Sequence, residues 1–90
     1  MAATKMYMID MLQLMRDPGA SSLAVSIQTS ADEGELVYHL LDSLRYIASR
    51  AEPSYVERVG ERIAQILPDP YLEPLGATLA ELSSVRSTAA

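Results

Sequence analysis

The chain contains no cysteine, tryptophan or phenylalanine, and only one histidine. Without cysteine there is neither a disulfide nor a thiolate metal site. The lone imidazole, His39, cannot build a histidine-rich metal site. Glycine is scarce, at four residues; there is no glycine-rich phosphate loop and no Gly-x-Ser-x-Gly. Base is also in deficit: 7 lysines and arginines face 12 acids, for a formal charge of −5, and acid outnumbers base in each third of the chain. General binding to a phosphate backbone rests on cations that displace its counterions, so nucleic acid is an unexpected partner. No apolar run approaches the roughly 20 residues of a membrane span. The apolar N-terminal stretch lacks the basic start and small-residue cleavage site of a secretory leader, since Lys5 alone precedes it and Asp10 interrupts it. These absences lead us to expect no membrane contact, no metal, no cofactor and no catalytic residues. The cytoplasm is the expected compartment.

What remains is a short, apolar chain. Its 90 residues, 49% of them hydrophobic, suit one domain over 1–90, with 1–4 and 86–90 expected to fray. A chain of this length buries roughly 60–65% of its unfolded surface, which leaves a thin core. Small domains commonly compensate with disulfides, metals or oligomerisation. Composition removes the first two, so a homodimer is the expectation.

The pattern predicts an all-α bundle of four or five short helices. The first runs from about Lys5 to Arg16 and is stopped by Asp17–Pro18–Gly19. In Ser22–Thr29, Leu23, Val25 and Ile27 alternate with smaller or polar residues. That stretch reads either as a short strand at 23–28 or as helix, and an isolated strand would need a copy of itself to pair with. The next helix starts near Ser30, which with Glu33 forms a capping-box pattern, and it ends near Ala51, ahead of Pro53. Its stripe is Leu36, Val37, Leu40, Leu41, Leu44 and Ile47. A third helix opens at Ser54 with Glu57, carries Val56, Val59, Ile63 and Ile66 on one face, and includes Gly60 on that face as a point of close approach. After the prolines at 68, 70 and 74, a last helix presents Leu75, Leu79 and Leu82.

The first helix differs from the others. In Lys5–Met15 eight of eleven residues are apolar and four are methionine, so grease covers most of its circumference. Such a helix wants neighbours on nearly all sides. Leaving three or four of these side chains wet forgoes roughly 1.5–3 kcal/mol each, which rivals the stability of a small domain. Methionines adapt to uneven surfaces, and the five aromatics, all tyrosine, suit half-buried interfaces. Tyr7, Met8, Met11 and Met15 are therefore the candidate partner-binding residues.

Two polar groups are worth locating. Glu35 and His39 share a helix face, with Asp42 and Tyr46 beyond, a spacing that suits proton transfer but reads more simply as a solvated pair. Arg45, Arg50, Arg58 and Arg62 fall close together in sequence and are candidates for holding an anion, although Glu52, Glu57 and Glu61 are interleaved with them.

The expected function is non-enzymatic: a helical homodimer that regulates, inhibits or chaperones a partner protein by occlusion or helix-in-groove docking. A small helical dimer binding an anionic ligand through the arginines is one alternative. Another comes from the order of "SLAVSIQT", "ADEGELVYHLLDSLRYIASRA" and "SYVERVGERIAQIL", which as strand, helix, helix resembles a ribbon-helix-helix regulator. That resemblance implies a dimer whose paired strands read DNA through Ala24, Ser26 and Gln28. The acidic balance and the lack of a basic residue in the strand depart from it.

Overall fold

The computed structural model describes residues 1–89, with side chains through residue 83. It contains five helices: α1 (Ala2–Met15), α2 (Pro18–Gln28), α3 (Glu33–Arg50), α4 (Pro53–Ile66) and α5 (Leu72–Ala89), with a 3-10 turn at Asp69–Tyr71 before the last. α1 and α2 form a tight hairpin. α3 runs between them and α4 and α5, and α1 also touches α4. The molecule is a slab of 38 × 31 × 17 Å between Cα atoms, two helix layers thick.

The core is one apolar cluster to which every helix contributes. Met8 and Leu12 from α1, Ala20 and Ile27 from α2, Leu40, Leu44 and Ile47 from α3, Val59 and Ile63 from α4, and Leu75 from α5 are essentially sealed. Each large side chain removed from water contributes about 1.5–3 kcal/mol. Of the predicted stripe of α3, Leu36, Val37, Leu40, Leu44 and Ile47 are buried and Leu41 is half-buried.

Several expectations change. Within the single chain, Ser22–Gln28 is helical, and no strand occurs among the described residues. The alternation of Leu23, Val25 and Ile27 loses to three local effects. Asp17 caps α2 by accepting from the Ala20 N–H at 2.8 Å, Pro18 occupies the first turn, and Ala20, Ala24 and Ile27 are the residues that bury, at helical spacing. The Asp17–Pro18–Gly19 stretch thus starts a helix as well as ending one. The turn itself falls on Arg16, which takes the left-handed conformation at φ 53°. Gly19 has ordinary φ and is small for another reason: a Cβ there would meet the Tyr46 ring, 2.7 Å from Cζ.

α1 begins at Ala2, earlier than predicted. Thr4 is fully buried rather than frayed, and its Oγ1 donates to the Ile66 carbonyl at 3.0 Å. That bond satisfies an orphan carbonyl at the end of α4 and pins the start of α1 there. Caps also move. Asp32, not Ser30, caps α3 by accepting from the Glu35 N–H at 2.8 Å, while Glu35 accepts from the Ala31 N–H at 3.2 Å. α4 is capped by position at Glu52, with Pro53 in its first turn and no side-chain bond from Ser54. α5 runs from Leu72 to Ala89; Ala90, the last residue of the segment expected to fray, lies outside the described residues. Gly60 is a point of close approach, but to a side chain: an added Cβ would sit 2.8 Å from Cδ2 of Leu79.

Candidate functional site

α1 is nearly, but not fully, enclosed. Thr4, Met8, Ile9 and Leu12 face inward, covered by α2, α3 and α4. The opposite arc carries Met6, Asp10, Gln13 and Leu14, with Leu14 at 68% exposure and Met6 at 61%. Between core and solvent lie Tyr7, Met11 and Met15, all half-buried.

These intermediate residues line the seam between α1 and α4. Tyr55 on α4 donates its hydroxyl to Sδ of Met11 at 3.4 Å. The Tyr7 hydroxyl is pushed above its ordinary titration range, first by burial and then by neighbouring Tyr55, with Arg62 pulling the other way. Beyond Tyr55 the seam widens into a groove of ≈ 440 Å³ lined by Leu14, Met15, Ala51, Glu52, Ser54, Tyr55 and Arg58. Its walls are apolar, with one cation and one acid at the margins.

Of the four predicted partner residues, Tyr7, Met11 and Met15 therefore share this seam. Met8 does not: it is wholly buried and leaves the candidate set, because no partner reaches it without unfolding α1. Leu14 and Tyr55 were missed. The signal for Leu14 is its place seven residues after Tyr7 and three after Met11, on the same helical edge. Tyr55 had no signal in its own segment, since only the fold brings α4 beside α1.

The arginines do not converge. Arg45 pairs with Glu81 of α5 at 3.1 Å. Arg50 stacks over the Tyr46 ring at 4.7 Å. Arg62 donates to Gln65 at 3.3 Å, and Arg58 edges the groove. Only Arg58 and Arg62, one turn apart on α4, lie beside the seam.

Elsewhere, His39 sits 3.7 Å from Glu35 with both side chains partly in water, an ordinary i, i+4 contact. No three acidic or histidine side chains among the described residues gather as metal ligands. Tyr46 donates to Oδ1 of Asp17 at 2.6 Å, which is the leading cause of the depressed Asp17 titration and of the raised Tyr46 one. Tyr71 donates to Glu33 at 3.1 Å and is likewise raised. A second groove of ≈ 290 Å³ lies between α4 and α5, floored by Gly60 and Ala64, walled by Leu79 and Leu82 and flanked by Glu57 and Glu61. No described helix is long and apolar enough to cross a membrane. No family model, curated protein or solved structure matches this chain.

Proposed function

We propose that this chain is a non-enzymatic protein-interaction module whose contact surface is the α1–α4 seam. The observation that carries the reading is Leu14, the most exposed large apolar side chain described, set beside half-buried Met11, Met15 and Tyr55 around an open groove. Covering what remains exposed of Leu14 stabilises a complex by about 1–2 kcal/mol before ordering costs. The methionines allow the seam to adapt to its occupant, and the tyrosines supply rigid, amphipathic contact area. The mechanism is occlusion: a partner held here is regulated, inhibited or kept from aggregating by having its own apolar face covered.

The homodimer is a second form of this reading. The original reason for it, an uncovered first helix, now applies only to the seam, because Met8, Ile9 and Leu12 are covered by the chain itself. The ribbon-helix-helix alternative requires Ser22–Gln28 as a strand paired with a second copy, whereas within the single chain it is helical.

The test uses Leu14→Glu, a surface change that leaves the fold intact. The wild-type chain is expected to self-associate in sedimentation experiments or to retain a partner from its source, and the variant to lose that association at an unchanged melting temperature. A variant that keeps the wild-type oligomeric state and every partner overturns the seam as the contact.

A further inference from the structure

We infer that the occupant of the α1–α4 seam is an amphipathic helix of another protein that carries acidic residues along one flank. This rests on the seam being the contact surface and adds the chemistry of what it contacts.

Backbone geometry argues for a helix. An extended peptide gains affinity by pairing its N–H and C=O groups with a sheet edge. Every described element here is helical, with its backbone bonds internal, so the seam offers no such ladder. An occupant placed between two helices must satisfy its own backbone, which a helix does. The apolar line Tyr7, Met11, Leu14 and Met15 then receives side chains at i, i+3, i+4 and i+7.

Charge argues for the acids. Among the described residues neither Arg58 nor Arg62 pairs with a carboxylate; Arg62 donates to the Gln65 amide and acts electrostatically on the Tyr7 hydroxyl at the seam. The other arginines of α3 are engaged, Arg45 by Glu81 and Arg50 by the face of Tyr46. Arg58 and Arg62 stand one turn apart, roughly 5–6 Å between Cβ atoms, the same spacing as carboxylates at i and i+4 of a facing helix. Guanidinium forks suit carboxylates geometrically, through paired N–H donors. This short basic bank is the exception on a chain whose net charge is −5, so the charge of the surrounding surface does not explain it. Glu52, at the far end of the groove, sets direction by repelling an acid placed there.

The experiment titrates the full chain into fluorescently labelled synthetic helices of about 18 residues. Three share one leucine face; their flanking residues are glutamate, glutamine or lysine. Anisotropy is read at low and physiological salt for the wild type, for Arg58→Ala/Arg62→Ala and for Leu14→Glu, with circular dichroism confirming that each variant folds. The glutamate peptide is expected to bind about five- to tenfold more tightly than the glutamine one, the worth of two exposed charge pairs. That preference should shrink with salt and vanish in the double-arginine variant, while Leu14→Glu weakens all three peptides. Equal binding of the three peptides, still sensitive to Leu14→Glu, overturns the acidic partner and leaves the interaction surface standing. Self-association through Leu14 that excludes the peptides overturns the acidic partner in favour of a second copy. Indifference of every peptide and of the oligomeric state to Leu14→Glu overturns both readings.

Discussion

Tyr46 is the side chain on which the α1–α2 corner depends. Its hydroxyl bonds Asp17, Asp17 caps α2, Arg50 lies over its ring, and Gly19 leaves room for it. Gly19→Ala is expected to lower the melting temperature, because the added Cβ displaces the ring and breaks the bond to Asp17. In a Tyr46→Ala background the obstacle is gone, and the same change should raise stability by about 0.5–1 kcal/mol, the ordinary advantage of alanine over glycine in a helix. A thermal-melt cycle of the four proteins reads this reversal of sign. Titration follows from the same bond. The folded carboxyl of Asp17 is depressed, so its contribution is complete above the unfolded carboxylate range and lost as pH falls through the lower folded value. The Tyr46 hydroxyl is raised, so its contribution is complete below the unfolded phenol range and lost as pH rises through the higher folded value. Tyr46→Phe should flatten both limbs of a stability-against-pH curve; an unchanged acid limb would remove Tyr46 as the cause.

At the scale of elements, α1 divides into a sealed face and a wet edge, and substitutions should respect the division. Met8→Ala is expected to cost about 2–5 kcal/mol in denaturant unfolding, whereas Leu14→Ala should stay within about 0.5 kcal/mol. Thr4→Val, which keeps shape but leaves the Ile66 carbonyl without its donor, should cost about 1–3 kcal/mol; a neutral result would mean that water replaces the hydroxyl. The sequence made the helices themselves readable, α3 best of all, because its stripe from Leu36 to Ile47 repeats at three and four residues over about three turns. It read α2 ambiguously, since Leu23, Val25 and Ile27 satisfy a two-residue period while only Ile27 is buried outright. Caps were misplaced because Ser30 and Asp32 compete for the same role, and only the exit path from Gln28 decides between them. The candidate site was half legible. Local pattern marked Tyr7, Met11 and Met15, but which side of α1 the chain would cover depends on α2, α3 and α4 docking together. That non-local choice buried Met8 and left Leu14 in water.

For the whole molecule, the architecture favours speed over robustness. Helices adjacent in sequence are mostly adjacent in space, from the α1–α2 hairpin to α3 with α4. Low sequence separation places such domains among microsecond-to-millisecond folders. Refolding after an unfolding pulse too brief for the five X–Pro bonds to isomerise should be largely complete within milliseconds, read by the tyrosine fluorescence; a dominant phase of seconds in that experiment would contradict this topology. Total stability should fall in the range of about 5–13 kcal/mol, from the usual stability per residue. A loss the size of the Met8→Ala effect then takes a large share of it.

The placing of the thioethers also divides them by reactivity. Met8 is closed off from solvent, whereas Met6 is open and Met11 and Met15 border the seam. A mild peroxide dose therefore converts the rim sulfurs to sulfoxides first, adding strong dipoles to a greasy surface while the interior stays intact. The chain would keep its shape while its rim turned polar, and methionine sulfoxide reductases could restore it.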